Sequence, residues 1–333
     1  MNTDEIEIFR AARPEVAPYE PGRRARARQL LLRDEDARRS RRWWLSAVPL
    51  GALAGAAGVA GVLGRRPDES GGIVPVSAVG YLEEAARTVE ARPEVRPGPL
   101  QWRYTKERLV TERGRELVSE VWMRLDGAYA AQPGGRDGKI EVDEDPLGKD
   151  EPSPLRRYAE LRVLAADPEQ VLARAYRSVD GVRERWRRER DPVRERVRAQ
   201  LLTEEHRRFL VFCEVAELFD AVFTPPRLHA AAFRAVAQIP GVEVRSGGRD
   251  PLGREVVSVG KLDQWGTRRA YLVAPGSYVY LGVSAVRERD DLMTLPALAR
   301  GQEMPVVEQV AVGVGSYTLR EAGGIVDRPG ERG

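Results

Sequence analysis

The 333 residues carry 54 basic and 51 acidic side chains, two histidines and one cysteine. One cysteine excludes an intramolecular disulfide framework, and a net charge of +3 over this length supplies no field of the kind that recruits nucleic acid. Fifty of the basic residues are arginines, which reflects GC-rich coding more than function.

Residues 1–42 hold 11 basic and 8 acidic residues and are expected to form a basic helical segment, with a helix over Pro21 to Arg42. Next comes an uncharged run, Trp43 to Gly64. Its 22 residues are enough for a helix to cross the roughly 30 Å hydrocarbon core, so residues 43–64 are predicted to be a transmembrane helix in a lipid bilayer. Nine arginines lie in residues 23–42 against two in residues 65–84, a bias that places the N-terminus in the cytoplasm and the C-terminal part outside. Arg41, Arg42, Trp43 and Trp44 form the expected membrane-interface set, since indole rings favour the headgroup level. Gly51 and Gly55 make a GxxxG that would let two helices pack closely. Ser40 through Leu45 also resembles a twin-arginine export motif, so a cleaved export signal is the alternative to an anchor, and the length of the run favours the anchor.

Residues 65–77 read as a polar linker, and residues 78–319 as one extracytoplasmic α+β domain. A helix is expected over residues 77–91 with Val79, Leu82, Ala86 and Val89 on one face. Alternation then predicts a hairpin, Trp102 to Val110 and Leu117 to Leu125, turning at Arg113-Gly114-Arg115. Asp126-Gly127 leads into a strand at Tyr129 to Gln132, with a fourth at Gly138 to Val142. Residues 154–239 are predicted to be mainly helical. Asp167-Pro168 supplies a cap and first-turn pair, and Thr224-Pro225-Pro226 another before a helix that Pro240-Gly241 ends. The arginine-dense run 183–198 reads as a solvated, salt-bridged helix face. Strands return at Val242 to Arg245, Glu255 to Val259, Arg269 to Ala274 and Tyr278 to Val286, with turns at Asp250-Pro251-Leu252-Gly253 and Pro275-Gly276. A last strand pair is expected within Val306 to Leu319, and residues 320–333 as a disordered tail. The fold class is thus α+β: a curved antiparallel sheet packed by helices.

The chemistry-bearing inventory is thin. His206 and His229 fall on separate predicted helices, and His206, after Glu204-Glu205, reads as a surface residue rather than a metal ligand. Cys213 sits in an apolar stretch and reads as a buried, inert thiol. Gly134 to Lys139 is one residue short of a phosphate loop, and Leu147 and Pro154 occupy two positions of a calcium loop that need oxygen ligands. No catalytic, cofactor-binding or metal-binding residue is assigned.

One run is more specific. Phe219 through Val242, with Thr224-Pro225-Pro226 ahead of a helix and Pro240-Gly241-Val242 after it, followed by Asp250-Pro251-Leu252-Gly253-Arg254, resembles the C-terminal core of an uncharacterised actinobacterial family of single-pass membrane proteins. Ile8-Phe9-Arg10, Arg13-Pro14 and Glu120-Val121-Trp122 fit the same pattern. That family resembles membrane anti-sigma and envelope-sensing proteins in layout, and it carries no established activity. The resemblance implies a membrane-anchored binding or sensor protein whose residues 1–42 reach a cytoplasmic partner such as a sigma factor. The outer domain looks like a lipoprotein-carrier half-barrel, which makes a tethered lipid or lipoprotein carrier the alternative. An envelope hydrolase is a third and weaker reading.

Overall fold

In the computed structural model ten strands lie side by side in the order 74–76, 242–249, 255–262, 267–273, 280–287, 315–326, 102–110, 116–124, 129–133 and 140–144, and every neighbouring pair is antiparallel. The structure describes residues 74–134, 139–144, 146–147, 151–188, 201–220, 224–289 and 313–332. All of them belong to one of the two units into which the chain divides, Gly55–Gly333. Residues 1–42 and the expected span, with Arg41, Arg42, Trp43, Trp44, Gly51 and Gly55, lie outside the described residues. Among those described, no helix is long and apolar enough to cross a membrane.

The elements follow local chemistry. Strand β1 (Val74–Val76) runs into α1 (Ala78–Glu90), where the Ser77 hydroxyl caps the first turn by accepting from the Gly80 amide. Helix α1 buries Leu82, Ala85, Ala86 and Val89, while Val79 in the first turn stays 64% exposed. The expected hairpin forms as β2 (Trp102–Val110) and β3 (Glu116–Arg124), with Gly114 at φ +70 in its turn. Two short strands follow, β4 (Tyr129–Pro133) and β5 (Ile140–Glu144). Ser153 and Pro154 start α2 (Pro154–Arg162), and the Asp167 carboxylate accepts from the Gln170 amide at 3.0 Å to start α3 (Pro168–Arg188). Thr203 caps α4 (Glu204–Ala216), which tightens into a 3-10 turn at Glu217–Phe219. Pro225 stands at the cap of α5 (Pro226–Ala237), and the expected Thr224 instead donates its hydroxyl to the Asp220 carbonyl. The second meander is β6 (Val242–Arg249), β7 (Glu255–Leu262), β8 (Thr267–Val273), β9 (Tyr280–Arg287) and β10 (Gly315–Val326).

Helix α1 packs on α5, and α3 packs on both α4 and α5. This layer is glued to the sheet by aromatic contact: the ring of Tyr271 on β8 meets Phe212 at 5.7 Å and Phe219 at 5.9 Å, and its hydroxyl donates to the Cys213 carbonyl. Cys213 is buried as expected, and burial pushes its thiol up to about 12.

Two expectations are corrected. Residues 320–333 are not a disordered tail: β10 continues to Val326, pairs with β2 as far as Val326↔Trp102, and residues 327–332 are hydrogen-bonded beyond it. The linker expected over residues 65–77 contains β1, which closes one edge of the sheet by pairing with β6. The folded domain therefore runs beyond residues 78–319 at both ends. Of the last strand pair expected within Val306 to Leu319, Gly315 onward belongs to β10, and residues 306–312 lie outside the described residues.

Candidate functional site

Strand pairing decides which side chains share a face. Tyr271, packed under the helices, pairs with Val283, Val283 with Thr318, and Thr318 with Leu109 of β2, which pairs with Leu117 of β3. Arg103, Thr105 and Glu107 of β2 and Ser119, Val121 and Met123 of β3 belong to the same helix side. Burial along this side falls steadily. On β7 and β8 it is buried (Val257, Val259, Tyr271, Val273), on β9, β10 and β2 half-buried (Val283, Thr318, Leu109), and on β3 Leu117 is 57% exposed. Helix α2 reaches this half at its far end, through contacts of Tyr158 and Leu155 with Leu125 and Ile325. The result is a half-exposed strip of sheet face, the β2–β3 trough, of mixed character, with Leu109, Leu117, Val121 and Met123 as its apolar residues.

A half-buried ionic network, centred on the buried Arg320, lies where the helical layer ends. Arg320 of β10, 9% exposed, donates to both oxygens of Asp220, at 2.5 and 2.9 Å, and to Glu107 at 2.9 Å. Its guanidinium lies 5.1 Å from the Tyr280 ring, and Arg103 reaches Asp220 at 3.4 Å. Burial works against the Arg320 charge, and the Asp220 and Glu107 carboxylates outweigh it, so its pKa is held above the usual arginine range. Burial lowers Arg103 and raises the Tyr280 hydroxyl.

Arg320 faces the helices by alternation from Thr318, with Glu321 on the opposite face against Lys106 and Arg108, and the bulge between Arg320 and Ala322 keeps Ala322 on that opposite face as well. Arg254 braces that bulge. It donates to the carbonyls of Arg320, at 2.7 Å, and Leu281, at 3.2 Å, while the buried Asp250 accepts from its Nε at 2.7 Å and from the Leu252 and Arg254 amides. The Asp250-Pro251-Leu252-Gly253-Arg254 run is therefore a turn, as its residues predict, and also a clasp on two strand carbonyls.

The histidines are core residues. His206 is 4% exposed, with ring centroids of Trp265, Trp186 and Phe209 at 5.0, 6.2 and 6.2 Å, which corrects its reading as a surface side chain. Burial, with help from the Arg183 charge, pulls its pKa down to about 4. His229 stacks on Phe233 at 5.0 Å, and burial pulls it down to about 3. Both are neutral at physiological pH. The run 183–198 divides in the same way. Glu184, Arg187 and Arg188 make the expected surface ion pairs, Arg183 is buried and bonds the Leu202 and Thr203 carbonyls, and residues 189–198 lie outside the described residues.

Beside His206, the β7–β8 turn holds Asp263, which accepts from the Trp265 and Thr267 amides at 2.8 Å. Burial outweighs these bonds and raises its carboxyl from 3.8 to about 6. A folded-state pKa above the unfolded one means that the protonated form favours folding. That contribution is fully present below about pH 3.8 and is lost as pH rises through about 6. Asp263→Asn keeps the accepting oxygen and removes the buried charge. It is expected to stabilise the domain by up to about 3 kcal/mol near pH 8 and by almost nothing near pH 4. Urea midpoints of the two proteins at both pH values check this, since the histidine titrations cancel in the difference. An equal shift at both pH values would refute it.

Comparisons with family models, with curated proteins and with solved structures return no match. Among the described residues, no cluster of histidine, cysteine and carboxylate side chains could hold a metal ion.

Proposed function

We propose that this chain is a membrane-anchored extracytoplasmic binding or sensor protein whose outer domain receives its ligand in the β2–β3 trough. The observation that supports it is the mismatch between sheet and cover: among the described residues, the helical layer buries one half of a ten-stranded sheet face and leaves the other half of that face half-exposed. Curvature of an open antiparallel sheet around such a trough gives the half-barrel of lipoprotein carriers, the finer fold proposed here. Residues 43–64 serve as the anchor, with Arg41 to Trp44 at the inner interface, and residues 1–42 as the contact with a cytoplasmic regulator.

The lipid or lipoprotein carrier is the second reading, favoured by the juxtaposition of an apolar strip, Leu109 to Met123, with the Arg103, Glu107, Arg320 polar end. An amphiphile has both needs.

In-cell cross-linking and co-purification test both. Full-length protein, a form lacking residues 2–38 and a Val121→Arg variant are compared, with lipid and protein identified by mass spectrometry. A bound molecule held by the first two and reduced at least tenfold in Val121→Arg is the expected result. A cytoplasmic protein lost with residues 2–38 adds signalling. Capture undiminished by Val121→Arg would remove the trough, and full-length protein left in the supernatant after membrane sedimentation would remove the anchor.

A further inference from the structure

We infer that residues Asp327–Arg332 form a displaceable strap over an aromatic platform, and that the platform takes a peptide bearing an arginine. It lies on the face of the sheet opposite the helices and owes nothing to the trough.

Beyond Val326 the chain turns back across β2 and β3. The Asp327 and Arg328 amides donate to the Glu331 carboxylate at 3.1 and 3.4 Å, closing a small loop whose Gly330 sits at φ +94. The Glu331 carbonyl accepts from the Trp122 indole N–H at 2.7 Å, and Arg332 donates to Glu120 at 2.8 Å. Beneath lie Tyr104 and Trp122, stacked at 5.1 Å and both 0% exposed, with the Tyr104 hydroxyl donating to the same Glu120 oxygen at 2.9 Å.

The two layers differ in what holds them. Asp327, Arg328, Gly330 and Arg332 are exposed, and their described contacts are polar, so the strap opens far more readily than the strands it covers. Once open, it frees an indole donor beside the stacked rings and a carboxylate that is only 12% exposed while Arg332 covers it. An occupant must return an acceptor to the indole and a cation to Glu120, which keeps its bond from the Tyr104 hydroxyl but loses its bonds from Arg332. Any main chain supplies the first. The second selects arginine, whose planar fork meets a carboxylate through two nitrogens, as Arg332 does at 2.8 and 3.4 Å. The strap is thus an internal copy of the ligand, and it competes at the high effective concentration of a tethered segment.

The test uses a synthetic peptide, Asp-Arg-Pro-Gly-Glu-Arg-Gly, followed by the Trp122 indole N–H resonance. It is titrated into the full chain and into two opened forms: Gly330→Ala, which penalises the left-handed turn and whose added methyl meets Ile140 at an ordinary contact distance of 3.6 Å, and a chain ending at Val326. Both opened forms are expected to bind the peptide at least tenfold more tightly than the full chain. A peptide with alanine in place of its last arginine, or Glu120→Gln in an opened form, is expected to lose at least tenfold. Opened forms that keep the intact circular dichroism and yet take up no peptide, or that take up the arginine-free peptide equally well, would overturn the inference. So would a full-chain dimer that dissociates when residues 327–333 are removed, because the strap would then be exchanged between copies.

Discussion

Arg320→Met is expected to cost about 2–3 kcal/mol of folding stability, more than a surface arginine, because it removes the buried centre of a half-buried network. Arg320 is the residue that draws Asp220, from the helical layer, and Glu107, from the neighbouring strand, onto one guanidinium. Methionine fills a similar volume and returns no hydrogen bond, so both carboxylates lose their Arg320 contacts in a half-dry site. Arg103, 3.4 Å from Asp220, recovers part of the loss on that side. Arg320→Lys keeps the charge but cannot span both carboxylates, and should fall between methionine and wild type. The double variant Arg320→Met with Asp220→Leu is expected to be more stable than Arg320→Met alone, since it removes a stranded charge together with its partner. Urea unfolding of the four proteins at neutral pH decides it. A loss below about 1 kcal/mol for Arg320→Met, the range of exposed ion pairs, would mean that the network is solvated.

What was legible in the sequence divides along the distance between partners. The β2–β3 hairpin, the Asp167-Pro168 helix start and the Asp250-to-Gly253 turn are set by residues within a few positions of one another, and all form as read. Strand β10 was hidden because its partner β2 stands over 200 residues earlier, and because Gly323, Gly324 and the bulge at Glu321 erase the alternation that marks a strand. The ionic network was hidden for the same reason, its members being 100 to 213 residues apart. His206 was misread from its neighbours. Glu204 and Glu205 belong to the first turn of α4, where acids suit the helix dipole, while the histidine beside them turns inward onto Trp265. The trough could not be read at all, since it depends on which part of the sheet the helices fail to cover.

The largest effect should come from ending the chain at Leu319, which a disordered tail would tolerate without change. Strand β10 is the seam of the sheet: it pairs with β9 from Gly315 to Leu319 and with β2 from Tyr317 to Val326. Ending at Leu319 removes six of the nine β10–β2 register pairs and leaves the β2–β5 half joined to the rest by three. It also strips Val326 from the Trp102, Tyr104 and Trp122 cluster and Ile325 from the contact with Leu125 and Tyr158. Each of those aliphatic side chains contributes about 1.5–3 kcal/mol on burial, and each ladder hydrogen bond about 1 kcal/mol net. Together with the opened aromatic cluster, the loss reaches the roughly 5–15 kcal/mol that a domain of this kind has to spare. The chain ending at Leu319 is therefore expected to show no cooperative thermal transition. The chain ending at Val326 keeps every pair in the sheet and should melt cooperatively, within about 10 °C of the full chain. Calorimetry of the two truncations separates the cases. A sharp transition for the chain ending at Leu319 would mean that the two halves fold without their seam, and would turn β10 beyond Leu319 from a structural strand into an ornament on the edge of β2.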